Sequence, residues 1–243
     1  MQVDSMTLTL RPRAIWEGCD LGIRLLQSNF RSAYSCYLMV ALPLFALCFA
    51  TYDIAAWLPA VLIWWSKPWL DRTLLFVLSR ALFGVVTAPP DVWDAQRDVW
   101  WGQWLGTVTL RRLSASRSFT QPVRQLEGLT GAARATRVRQ LATRHRGVAR
   151  AMTQAFAAAE LALMLSIVSL ELWLAPKHAD LSWMSLVTGM AKPQTIALTL
   201  SYAAAVAFVE PFYVAAGFGM YLNRRVELEA WDIEQEFRRA FSG

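Results

Sequence analysis

The sequence predicts an all-α fold: a polytopic membrane helical bundle with four membrane-entering helices, two interfacial amphipathic helices and an Arg-rich cytoplasmic helical region. Three observations carry that prediction. Residues 195–222 form an apolar run whose single acidic or basic residue is Glu210, placed beside Pro211. At ~1.5 Å per residue a helix of this length crosses a ~30 Å hydrocarbon core with room to tilt. The whole chain is 56% hydrophobic and 17% charged, well below the ~25% charged of an ordinary globular chain. Its basic residues, nearly all arginine, also fall unevenly between the two sides that the apolar runs define.

The chain reads as one membrane domain over residues 1–243. Residues 1–30 hold no continuous apolar core, so no cleavable signal peptide is expected. From Arg13 to Arg31 the apolar residues Trp16, Cys19, Ile23, Leu26 and Phe30 follow three-four spacing. Arg13, Glu17, Asp20, Arg24, Gln27 and Arg31 line the opposite stripe. This predicts an interfacial helix over 13–31, lying in the headgroup plane.

Residues 35–66 are apolar apart from Asp53 and read as a membrane hairpin turning at Tyr52-Asp53, full or re-entrant, with Pro43 and Pro59 bending its arms. Trp64, Trp65 and Trp69 around Lys67-Pro68 look like an aromatic belt with a snorkelling cation. A second amphipathic helix is expected over 69–84, with Arg72 and Arg80 on one face. Ala88-Pro89-Pro90 then opens a cytoplasmic or interfacial region, 91–150, holding 11 arginines against four acids. Residues 114–130 are expected to be a loop broken at Pro122. The Ala- and Arg-rich stretch from Gly131 is expected to be helical and to continue into a span over 151–173. A short loop leads to the last span, 195–222, and an amphipathic tail, 223–241.

Counting Lys and Arg sets the orientation. Four precede the first span, three lie between Lys67 and Arg80, 11 lie in the central region and four follow the last span, against two, Lys177 and Lys192, in the opposite loop. The positive-inside rule then puts both termini and the central region in the cytoplasm of a bacterial inner membrane. The same spread of charge suits membrane lipids as partners, and nucleic acid is not expected.

Acids at membrane depth cost ~2.5 kcal/mol or more, so Glu160 and Glu210 are the candidate site residues. Antiparallel spans bring them to similar depths. They would form an intramembrane polar network, sharing a proton or paired with Arg72 or Arg80. Pro211 marks a helix kink. Ala158, Ala162, Ala203 and Ala207 would let the last two spans approach closely. Arg134, Arg137, Arg144 and Arg150 recur on the central helix as a docking or lipid surface. The three cysteines and two histidines have neither disulfide nor metal-ligand spacing, so no metal and no cofactor is expected. No GxSxG, Walker A, HExxH or GxGxxG motif supports an enzyme.

The run Glu210-Pro211-Phe212-Tyr213, then Tyr221-Leu222-Asn223-Arg224-Arg225 and Glu229-Ala230-Trp231-Asp232-Ile233-Glu234, resembles the end of the bacterial membrane domain fused to glycerophosphodiester phosphodiesterases. Trp16-Glu17, Asp20-Leu21-Gly22, Lys67-Pro68, Asp71-Arg72, Ser79-Arg80 and Phe83-Gly84 resemble the stand-alone members of that group. The resemblance implies a membrane protein without phosphodiesterase activity, since that catalytic domain is absent, and a partner linked to a MoxR-type ATPase system. The expected function is a non-enzymatic scaffold or docking subunit of a membrane assembly. The alternative is a transporter or permease subunit using Glu160 and Glu210.

Overall fold

The computed structural model describes residues 14–101, 116–143, 145–174 and 192–229. Its helices are α1 (Ile15–Ser28), α2 (Phe30–Phe49), α3 (Leu58–Ala81), α4 (Pro89–Asp94), α5 (Arg117–Gln125), α6 (Gly131–Ala142), α7 (Arg146–Leu174) and α8 (Lys192–Glu229), with a π-helical turn at Arg97–Trp101. The described residues contain no strand. Among the described residues, three helices are long and apolar enough to cross a membrane: α2, α7 and the Gln194–Glu229 stretch of α8.

The hairpin of α2 and α3 turns at residues 50–57, where Asp53 was expected to turn it. Its second arm departs from expectation. Rather than ending at Ser66, it continues through Lys67-Pro68 and absorbs the amphipathic helix expected over 69–84, giving one helix of 24 residues. Proline removes one backbone donor and crowds the carbonyl four residues back. A neighbouring helix also bonds to this stretch: Gln121 Nε2 donates to the Pro68 carbonyl at 2.9 Å and Gln125 Nε2 to that of Arg72 at 2.7 Å. Those donors come from α5, which runs through Pro122 where a loop had been expected.

The inner half of α8 is the core of the molecule. From Val209 to Asn223 only Phe212 escapes full burial. α1 makes the most extensive helix contact of the fold along this stretch, so it belongs to the bundle rather than lying apart at a headgroup surface. Glycine makes that approach possible. A Cβ on Gly22 would stand 1.9 Å from the Ala215 carbonyl oxygen, and one on Gly219 would stand 2.1 Å from that of Gly18. On another side of α8, a Cβ on Gly217 would meet Ser118 Oγ at 2.2 Å, which lets α5 dock. Small-xxx-small spacing, Gly18 to Gly22 against Ala215 to Gly219, is a known way to bring helix backbones together.

The outer half is built differently. Leu161, Leu165, Leu170, Trp173 and Leu174 of α7 are exposed, as are Trp57 just before α3, Val61 of α3, and Leu200 and Phe208 of α8. α7 buries only Ala149, Met152 and Val168. Ala158 and Ala162, expected to face α8, point outward instead, whereas Ala203 is buried. The amphipathic tail is helical as far as Glu229, and its remainder lies outside the described residues.

Candidate functional site

Five charged side chains from four helices meet at the boundary between these halves. Lys67 and Asp71 stand one turn apart on α3 and so share a face. Lys67 Nζ lies 2.5 Å from Glu160 Oε2 on α7 and 2.7 Å from Glu210 Oε2 on α8. The other Glu210 oxygen, Oε1, accepts from an Arg117 guanidinium nitrogen at 2.5 Å. Arg117 opens α5, and its Nε sits 3.0 Å from Asp71 Oδ2 but off the line of a hydrogen bond. Arg117 therefore faces the Asp71 and Glu210 carboxyl groups together.

The surroundings hold this group in place. The Arg117 guanidinium lies 5.3 Å from the centre of the Tyr213 ring, a cation–π geometry. The Tyr213 hydroxyl accepts the Ser118 N–H at 3.4 Å and shares a hydrogen bond with Thr153 Oγ1 at 3.3 Å. The Asp71 and Glu210 side chains are 1% exposed, and the Lys67, Arg117 and Glu160 side chains are 10–13% exposed. Burial alone would lower the Arg117 pKa, but Asp71 and Glu210 more than reverse this and hold the guanidinium charged. Glu160 and Glu210 both fall inside the stretches apolar enough to cross a membrane. Counting from Leu174 and from Thr195 at ~1.5 Å per residue, each lies roughly 21–23 Å along its helix, less than the ~30 Å of a hydrocarbon core.

The sequence therefore named both acids and the wrong cations. Lys67 and Arg117 meet them, not Arg72 or Arg80. Arg80 instead lies over the Phe76 ring at 5.4 Å, and Arg72 is buried on α3 with its carbonyl bonded to Gln125. Lys67 is expected in an aromatic belt, and Asp71 enters only through the Asp71-Arg72 resemblance. The signal available is the Lys67–Asp71 pair at helical spacing within a mostly apolar segment. Arg117 offered no local signal, since its partner Glu210 is 93 residues away. Pro211 sits next to Glu210 inside a helix that runs on without a break.

A second ionic group lies at the far end of α8. Arg137 bridges Glu127, at 2.9 Å, and Glu229; Arg225 pairs with Glu229 at 2.7 Å; and the Tyr221 hydroxyl donates to Glu127 at 2.7 Å. Burial alone would lower the Arg137 pKa, but hydrogen bonds to Glu127 and Glu229 raise it overall. Arg137 is thus spent inside the protein. Arg150 is exposed, Arg134 is half-buried, and Arg144 lies outside the described residues.

The three cysteines are free and buried. Burial first, then the charge of Asp20, pushes the Cys19 thiol up to about 12, far from nucleophilic use at neutral pH. Among the described residues no cluster of His, Cys, Asp or Glu is arranged to hold a metal ion. Two apolar cavities flank α3. One of about 540 Å³ lies against α2 and is lined by Leu44, Leu47, Trp65 and Trp69. The other, about 700 Å³, lies against α7 and α8 and is lined by Trp57, Trp64, Met164 and Tyr202. No family model, no curated protein and no solved structure matches the chain.

Proposed function

We propose that this chain is a non-enzymatic scaffold or docking subunit of a larger bacterial membrane assembly. α3 enters the membrane as a fourth helix, and both termini and the α4–α6 region face the cytoplasm. One observation carries the reading: the outward face of α7. Ala155, Ala158, Ala162, Ser166 and Ser169 recur there at three- and four-residue intervals and are all exposed. Facing lipid alone, nothing favours small side chains at those positions. Against another helix they permit close backbone approach. The α7 helix otherwise leans mainly on α8.

Replacing Ala158 and Ala162 by leucine tests this directly. Protein isolated in mild detergent should keep its thermal stability, because neither side chain is buried, and should lose a stoichiometric helical partner. Wild-type protein that is a partner-free monomer would overturn the reading, as would leucine variants that retain the partner. Exposed Arg139, Arg146 and Arg150 make the cytoplasmic end of this face suitable for anionic headgroups, at ~1 kcal/mol per cation.

The transport alternative draws on a different observation, the five-charge group within the apolar stretch of α7 and α8. Proton-coupled flux in liposomes, lost in Glu210→Gln with the fold intact, would favour it over the scaffold.

A further inference from the structure

We propose that the buried cluster is a single-proton site, the proton lying between the carboxyl groups of Asp71 and Glu210 and covalently held by Asp71. The inference is independent of the docking reading and survives if that reading fails.

Charge comes first. Three acids, Asp71, Glu160 and Glu210, meet two cations, Lys67 and Arg117. Fully ionised, the group carries one uncompensated negative charge beside two almost completely enclosed carboxyls, a state that an apolar interior disfavours. One bound proton brings it to neutrality.

Geometry says where that proton goes. Two ionised carboxylates are acceptors only and repel each other. Asp71 and Glu210 nevertheless face the same Arg117 guanidinium, at 3.0 and 2.5 Å, and a proton held by one of them removes that repulsion. Glu210 has one oxygen on Lys67 and the other on Arg117, so both favour its charged form. Glu160 has an oxygen 2.5 Å from Lys67 Nζ. Asp71 is different: its side chain is buried, and neither oxygen accepts an aligned hydrogen bond from any described donor. It is therefore the member that gains most from becoming an acid and donating its O–H to Glu210. The reaction is simple addition, carboxylate plus proton giving carboxylic acid, with no other group consumed.

The groups that set this balance come from every element packed around it. They are Lys67 on α3, Arg117 on α5, Glu160 on α7, Tyr213 on α8, and Tyr37 on α2, which lies within electrostatic reach of all three acids. The Tyr37 side chain is wholly buried and its hydroxyl has no hydrogen-bond partner.

Infrared spectroscopy of the whole protein in detergent micelles tests the proposal, with Asp71→Asn as the variant. Asparagine mimics the neutral acid and keeps a donor toward Glu210, so the variant should fold. Wild-type protein at neutral pH should show a carboxylic-acid C=O stretch from a group shielded from exchange, and D71N should lack it. Linkage gives a second readout. The folded chain keeps a proton that the unfolded chain has released, so wild-type Tm should fall as pH rises above the ordinary carboxylate range, and this fall should flatten in D71N. No protonated carboxyl in wild type, or one that survives in D71N and disappears in Glu160→Gln, would overturn the proposal. So would sodium raising wild-type Tm at constant ionic strength with no acid band present, since a metal cation would then supply the missing charge. If D71N does not fold, the wild-type spectrum alone still decides.

Discussion

The two ionic groups of this protein use the same chemistry in different surroundings. At the far end of α8, Arg137, Arg225, Glu127 and Glu229 keep 12–24% of their side-chain surface exposed and pair largely within or next to one helix end. Near Glu210 the acids come from α3, α7 and α8 and the cations from α3 and α5, with Asp71 and Glu210 almost completely enclosed. Exposed pairs are worth ~0–1 kcal/mol because water competes for both partners. Enclosed pairs contribute little net free energy to make, since desolvation offsets attraction, but breaking one strands a charge at a cost of ~3–5 kcal/mol. The peripheral group therefore tunes stability. The enclosed one specifies which helices meet and in what register.

The largest effect should follow Lys67→Met, which leaves Glu160 and Glu210 without their shared cation. Unfolding in a mild detergent should show a loss of ~3–5 kcal/mol. A loss below ~1 kcal/mol, the range of exposed pairs, would remove the distinction between the two groups. Gly22→Ala should come next, at roughly 1–3 kcal/mol. Its new methyl would meet the backbone of Ala215, which cannot rotate away, and so should loosen α1 from the α8 stretch that carries Glu210. Trypsin sensitivity at Arg24 reads this out, and unchanged cleavage would show that the close helix approach is dispensable.

Arg137→Ala should have the smallest effect, ~0.5–1 kcal/mol, and it should shrink further in high salt. A loss as large as that of Lys67→Met, insensitive to salt, would mean that the peripheral group is as enclosed as the central one.

The difference between the two regions also explains what could be read from the chain itself. Apolar run length and the three-four stripe revealed α2, α7, α8 and α1, because burial in lipid or in a core writes directly into local composition. The two acids stood out because charge is rare at that depth. Local pattern does not reveal which distant neighbour an element meets. The helix through Lys67-Pro68 persists beside glutamines about fifty residues later in the chain. Residues around Pro122 read locally as a loop, whereas they form a helix packed against Gly217 through Ser118. Arg117 pairs across 93 residues, a separation at which spacing carries no information. For Arg137, helical periodicity placed it correctly on a charged face, but its outward role was an assumption that Glu127 and Glu229 displace.

Lys67 joins α7 to α8 through Glu160 and Glu210. A double-mutant cycle between Lys67→Met and Glu160→Gln, read as unfolding free energy in detergent, tests it most directly. Directly paired groups give coupling of ~0.5–3 kcal/mol, so the double variant should be less destabilised than the sum of the singles. Coupling within ~0.3 kcal/mol of zero, the scatter expected of independent sites, would contradict the account.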